Sequence, residues 1–411
     1  MAMIKPFRAV RPSKEYAAKI AALPYDVYNR EEARKIVEEN PLSFLAIDRA
    51  ETAFEPGQDM YAPCVYEKAA SLLEQWQEKG YFVQEEKPVY YLYELVRKGR
   101  SQTGFVAVAS IDDYNNQVIL KHEKTREEKE QDRINHISYC NAQTGPIFLA
   151  YRDDERLNEI IKEYKEKEPL YQVENEDGVK HRIFMIDNSE LVEEIQASFK
   201  AIDKIYIADG HHRCASAVKV GMKRREEAKE KDDEAEYNYF MSVLFPQSEL
   251  EILDYNRVVK DLNGLKEDEF LQALENNFLI EERKEAVSPS EKGCFGMYLA
   301  GQWYHLILKK ENQKEKDAVK NLDVSLLQDY CLGPILGISD PRTDTRIDFV
   351  GGIRGLKELE KRASSDCKVA FSMKPTSMEE LFAVADAGQL MPPKSTWFEP
   401  KLRSGFFIHK I

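Results

Sequence analysis

Cysteine is scarce and scattered in this chain: 411 residues carry six, at positions 64, 140, 214, 294, 331 and 367, with no Cys-x-x-Cys pair among them. That argues against a zinc knuckle and a dithiol redox centre, and reduced thiols in the cytoplasm are the expectation. Positive charge is also short. Lys and Arg number 59 against 73 Asp and Glu, a formal charge of −14. A surface this acidic repels nucleic acid and anionic membrane alike, so neither is expected as a partner. A small anionic ligand in a local basic pocket stays open. Long apolar runs are missing too, because no window approaches the roughly 18 apolar residues that span a bilayer. The opening MAMIKPFRAVRPSKEY lacks the apolar core of a signal peptide.

Familiar nucleotide and metal signatures are equally absent. There is no GxxxxGK[ST] and no Asp-Phe-Gly, and GGIRG at Gly351 is too short for a dinucleotide fingerprint. His122-Glu123 has no second His one helical turn on, so HExxH fails as well. Any nucleotide site must therefore be of another design.

The chain is longer than one ordinary core serves, which favours two domains or one composite body. YNREEARKIVEEN starts a helix with a capping box, Asn29 three residues before Glu32. PLSFLAIDRA follows as a short apolar run. APCVYEKAASLLEQWQEKG is a second helix. KPVYYLYELVRKG and TGFVAVASIDDY, rich in aromatic and β-branched residues, read as paired strands turning near Gly99 to Ser101. GPIFLAY, HRIFMID and YNYFMSVLF are further strands, with helices in DDERLNEIIKEYKEK and SELVEEIQASFK between them. CFGMYLAGQWYHLILKK is a hairpin turning at Ala300 to Gln302, and PTSMEELFAVADAG is a helix led by Thr376 and closed by Gly388. The alternation points to a mixed α+β or α/β sheet protein, with a boundary placed near residue 250.

The densest chemistry lies in KIYIADGHHRCASAVKVG, Lys204 to Gly221, where two of only seven histidines stand side by side. A strand ending in Asp-Gly and running into a helix leaves unpaired N–H groups pointing outward, a ready site for phosphate. Gly210 lets a ligand approach the backbone closely. The helix dipole contributes only about 0.3–1 kcal/mol, so His211, His212 and Arg213 must supply most of the affinity, Arg213 with planar paired donors. Asp209 suits a metal ion or a substrate hydroxyl; the plainer alternative is that it caps the helix. Neighbouring helical residues diverge by about 100°, so the two histidines are poorly placed to grip one ion.

ADGHHRCASA resembles the signature of the family known as domain of unknown function 1015. The likeness continues through LPYDV, KHEKT, DRINH, YNYFMSVLF, ILDYNRVV and MPPKSTWFEPKLRSG, in order over nearly the whole chain. More distantly, Asp-Gly-x-His-Arg is similar to the phosphate-binding motif of the ParB and sulfiredoxin superfamily, which includes free-serine kinases. That resemblance covers a dozen residues. It implies a ParB/sulfiredoxin-like core in residues 1–250, and residues 251–411 form an additional C-terminal α/β region whose tail returns to the site. It also implies roles, with His212 and Arg213 on nucleotide phosphates and Asp209 near metal or hydroxyl. Sulfiredoxin has its catalytic Cys where this chain has His211, so sulfiredoxin chemistry is not expected.

Phosphoryl transfer needs an acceptor for a hydroxyl proton and Mg²⁺ across the phosphates, and carboxylates serve both needs. KHEKT supplies Glu123 as the base and Thr125 as a cofactor contact, with Arg133 from DRINH beside them; Asp209 binds the metal, and His211 completes the catalytic set. The roles of Glu123 and Asp209 are exchangeable, and Glu123 and Asp132 also fit a plain charged surface. Asp26 in PYDV reads as a pocket carboxylate or a turn residue. In the tail, the lysines Lys394 and Lys401 are candidates to neutralise phosphates, Lys394 first, against a structural strap held by Trp397 and Phe398. The expected activity is a small-molecule kinase that uses ATP or ADP with Mg²⁺ on a metabolite hydroxyl, L-serine first. The alternatives are a ParB-like nucleotide-binding regulator without catalysis and a phosphatase or nucleotide hydrolase. A homo-oligomer is left open.

Overall fold

The computed structural model describes residues 1–175, 177–313 and 316–411. The chain folds as two units, one of residues 1–250 with 400–411 and one of residues 251–399. Both are mixed in secondary structure, and together they make the chain a mixed α+β protein.

The first unit is built on a mixed sheet of β1 (Ile4–Lys5), β2 (Tyr90–Arg97), β3 (Arg100–Ser110), β4 (Ile119–Leu120), β5 (Ile147–Tyr151), β6 (Tyr171–Glu174), β7 (Lys180–Ile186), β8 (Ile205–Asp209) and β9 (Tyr239–Pro246). The order is β4-β8-β5-β9-β3-β2-β7-β6, with β1 on β3. Only β4 with β8 and β5 with β9 run parallel. The near-continuous apolar runs of β2, β5 and β9 fit strands covered on both faces. In β2, Tyr90 and Leu92 enter one core cluster. The intervening Tyr91 and Tyr93 instead meet Phe406 and Phe407 of the returning tail, with ring centroids 5.0–6.1 Å apart.

Seven helices surround this sheet and matter here: α1 (Arg30–Glu39), α2 (Leu45–Asp48), α3 (Pro63–Glu78), α4 (Glu127–Cys140), α5 (Glu155–Lys165), α6 (Ser189–Ala201) and α7 (His211–Glu227). The expected capping box on α1 is present, with Asn29 accepting from Glu32 N–H and Glu32 from Asn29 N–H. Apolar residues of α5, α6 and α7 pack on the same sheet face. The apolar run PLSFLAIDRA forms the short helix α2, and it packs with α3 in a second cluster around Phe44, Ile47 and Trp76. The charged run from Lys121 stays a loop to Arg126 and then becomes α4.

The second unit carries an antiparallel sheet of β10 (Tyr255–Val259), β11 (Phe278–Arg283), β12 (Cys294–Leu299), β13 (Gln302–Leu308), β14 (Ile347–Gly351) and β15 (Val369–Ser372), ordered β11-β13-β12-β15-β10-β14. The β12–β13 hairpin turns at Ala300 and Gly301. The helix expected after Thr376 starts one residue later. Ser377 accepts from Glu380 N–H, closing a capping box, whereas the Thr376 hydroxyl donates to the Ser395 carbonyl at 2.9 Å. Among the described residues no helix is long and apolar enough to cross a membrane.

Phe199 of α6 is fully buried, edge-on to Phe105 and Tyr151 at 5.5 and 5.4 Å between ring centroids. Phe199→Ala is expected to cost about 3–5 kcal/mol. In urea this reads as a lower midpoint with an unchanged slope.

Candidate active site

The site begins where β8 gives way to α7. The β8–β5 register shifts between Ile207 and Asp209, an irregularity that re-aims the strand end. Gly210 then takes φ 89° and ψ 30° as the N-cap of α7. A Cβ there would sit 3.7 Å from Ile147 Cα, an ordinary contact. The left-handed backbone, not a lack of room, is thus what calls for glycine. The first regular bond of α7 runs from Cys214 N–H to the Gly210 carbonyl, 2.9 Å. The N–H groups of the first turn precede it and have no partner within the helix, as at any helix start.

Asp209 is fixed on both oxygens: Oδ1 accepts from Gly210 N–H at 2.8 Å and Oδ2 from Lys401 Nζ at 2.5 Å. Desolvation pushes this carboxyl upward, but Lys401, Arg213 and the Gly210 N–H outweigh it and bring it to about 2. Even so, 44% of the Asp209 side chain remains exposed.

The two adjacent histidines reach different parts of the loop 121–126. His211 is buried. Its Nε2 accepts a long hydrogen bond from His122 N–H at 3.5 Å, and its Nδ1 lies 3.7 Å from Glu123 Oε2. The rings of His211 and His122 meet edge to face at 4.6 Å. Burial lowers His211 to about 4, only partly offset by Asp209. Burial also lowers His122 to about 3, reinforced by His211. His212 is half-buried and its Nε2 accepts from Arg126 N–H at 3.0 Å. Thr125 hydrogen-bonds Glu130, which also pairs with Lys219 of α7. The imidazoles thus clamp the KHEKT loop onto the start of α7, and neutral rings suit that role because an unprotonated nitrogen must accept.

Arg213 faces the other way. Its guanidinium donates to the Pro146 carbonyl at 3.3 Å and lies 5.4 Å over the Tyr25 ring, while Arg133 lies 4.0 Å over the same ring. Gly145 makes room for this arrangement, since a Cβ there would sit 2.9 Å from Arg213 Nη1 and 3.4 Å from Ser404 Oγ. The Ser404 hydroxyl is buried without a hydrogen-bond partner among the described residues. A cavity of about 30 Å³ opens between Tyr25, Asp48, Arg133, Gly145 and Arg213. A second, of about 210 Å³, shares Tyr25, Asp48 and Arg133 and extends to Arg49, Glu51 and Asp132.

Of the residues singled out in sequence, Gly210, Arg213 and Arg133 converge near these cavities, with Asp26 in the wall of the larger one. Asp209, His211 and Glu123 form a second group, and neither carboxylate lines a cavity. Thr125 and His212 hold the loop. Lys394 belongs to the second unit, where its carbonyl accepts from Arg257 and its ammonium lies 5.5 Å over the Tyr255 ring. Asp48, Arg49, Glu51 and Tyr25 were not singled out as site residues, and Lys401, expected on phosphates, instead pairs with Asp209. The available signal was charge inside an apolar run, Asp48-Arg49 in PLSFLAIDRA. Among the described residues no three His, Cys, Asp or Glu side chains converge to hold a metal.

Lys401 should control the ionisation of Asp209. By carboxyl NMR titration the wild type should titrate near 2 and Lys401→Met clearly higher, toward the ordinary 3.8. Because the folded pKa is depressed, the stabilisation from this pair is complete above about 3.8 and is lost as pH falls through about 2. A variant with an unmoved midpoint would show that the pair does not form.

Among solved structures the chain is similar to a free serine kinase in complex with AMP, with 15% identity, a TM-score of 0.36 and coverage of 74% of this chain and 91% of that one. It is similar also to a conserved hypothetical protein from Pyrococcus furiosus, with 16% identity, a TM-score of 0.34 and coverage of 74% and 94%. A third likeness is to SbnI with a C-terminal truncation from Staphylococcus aureus, with 12% identity, a TM-score of 0.38 and coverage of 72% and 82%. No curated protein matches the chain. The model of the family described as protein of unknown function, DUF1015, matches residues 4–325, and the chain belongs to that family.

Proposed function

We propose that the protein is a small-molecule kinase that transfers a phosphoryl group from ATP or ADP to the hydroxyl of a free metabolite, with L-serine as the first candidate. One observation carries the reading: Arg213, in the open first turn of α7, lines a cavity of about 30 Å³ that shares Tyr25, Asp48 and Arg133 with a neighbouring cavity of about 210 Å³. Unpaired N–H groups and a planar guanidinium are the donors a polyphosphate requires. The likeness of Asp-Gly-x-His-Arg to the ParB and sulfiredoxin motif supports the same placement and a core of that type.

In this reading the nucleotide phosphates lie on the first turn of α7 with Arg213 against them. Arg133 and the clamped loop with Thr125 and His212 hold the surroundings. The acceptor hydroxyl oxygen bonds to the terminal phosphorus, and the bond from that phosphorus to the leaving nucleotide oxygen breaks with its electron pair going to the nucleotide. The hydroxyl proton passes to Glu123, whose carboxylate faces the His211 ring.

Mg²⁺ fits the donor set if substrate phosphates complete its shell, since this ion commonly takes one or two protein carboxylates. Asp209, anionic and partly exposed, is the residue to hold it. When bound, Mg²⁺ neutralises charge on the phosphate oxygens.

Incubation with ATP, Mg²⁺ and serine should yield phosphoserine and ADP. Asp209→Asn should reduce turnover by about 10²-fold or more with little change in nucleotide affinity, while Arg213→Ala should impair both. Equal, mild effects of the two changes, measured by coupled ADP release and calorimetry, would show the roles to be misassigned.

A further inference from the structure

The larger cavity has an imbalance that the phosphate site does not explain. Each arginine in its wall already has its own carboxylate. Arg49 Nε donates to Glu51 Oε1 at 2.6 Å, and Arg133 pairs with Asp132 at 2.7 Å. These four side chains are largely withdrawn from water, with exposures of 3–12%. Asp132 also accepts from the Tyr66 hydroxyl at 2.9 Å. Lys129 and Asp26 are exposed residues of the rim, where water screens their charge.

Asp48 is the exception. It is 4% exposed and has no ion pair within 4 Å among the described residues. The only side-chain hydrogen bond it receives among them comes from the Thr144 hydroxyl to Oδ1, 2.9 Å. Oδ2 receives none, and the residue lines both cavities. A carboxylate this far from water is costly unless a cation or several donors meet it. Of its other neighbours, Arg133 adds a favourable field but spends its close contact on Asp132, and His136 is disfavoured as a cation by burial and by Arg133. The position therefore calls for a cation from outside the chain.

We infer that the larger cavity binds the phosphoryl acceptor with the acceptor's ammonium group on Asp48, so that the acceptor is a small hydroxylated primary amine. The reaction to which this assigns the pocket rests on the kinase reading above. The volume of about 210 Å³ lies below the range of pockets for drug-sized ligands, which start near 300 Å³, and suits a metabolite of few heavy atoms. Because the smaller cavity leads from Asp48 to Arg213, an amine held on Asp48 directs the rest of a short molecule toward the phosphate donors.

The test is calorimetry on the full chain without nucleotide, using ethanolamine, L-serine, glycolate and glycerol as probes. Ethanolamine and serine should bind, with glycolate and glycerol weaker by about tenfold or more, the range of a charge-assisted hydrogen bond. Asp48→Asn keeps the shape and an acceptor for Thr144. It should lower amine affinity by a similar factor while MgADP binding stays within about twofold. The wild-type panel gives the answer even if that variant folds poorly. Glycerol or glycolate binding as well as ethanolamine, no amine binding, or unchanged amine affinity in Asp48→Asn would each overturn the inference. Amine binding that depends on Asp48, with no phosphoryl transfer to any probe, would remove the kinase reading and leave the pocket. Transfer to glycerol as readily as to ethanolamine would do the reverse.

Discussion

The left-handed turn at Gly210 sets the direction in which α7 leaves the sheet, and with it the direction of every donor at the start of that helix. Its neighbour Asp209 locks the turn by accepting from the Gly210 amide and from Lys401 of the returning tail. The tail thereby joins residues far apart in sequence. It also carries Phe406 and Phe407 against Tyr91 and Tyr93, so the packing that closes one sheet face brings Lys401 to the site. A strap that buries this much aromatic surface is stable enough to keep one ammonium in place.

From that turn the adjacent histidines acquire separate tasks. Successive residues on a helix point about 100° apart. His211 therefore reaches His122 and Glu123 while His212 reaches the Arg126 amide. Arg213 turns to the opposite side, toward Tyr25 and the cavities. The motif thus builds a junction between a loop carrying a carboxylate and a pocket carrying arginines, with a helix start between them.

Much of this was legible in the residues, and the limits were physical. Periodicity and caps gave α1, the β2–β3 hairpin and the β8-to-α7 junction because those signals are local. The helix α4 was hidden in the run from Lys121, since a helix charged on most faces shows little apolar stripe. α2 read only as an apolar run because one turn of helix and a buried strand look alike at that length. Arg133 and Arg213 stood out as cations in motifs. Asp48 did not, and Lys401 was read only as a phosphate-neutralising lysine, since their roles come from long-range pairing: Asp48 meets Thr144, and Lys401 meets Asp209, across stretches of chain that no local pattern records.

Backbone amide exchange across residues 205–216, measured with and without MgADP, probes the junction itself. Slowed exchange of the first-turn amides His211, His212 and Arg213, diminished in Gly145→Ala because the Arg213 guanidinium is displaced, is the expected result. Exchange there that is unchanged by nucleotide, or nucleotide protection confined to another part of the chain, would contradict a phosphate site at the start of α7.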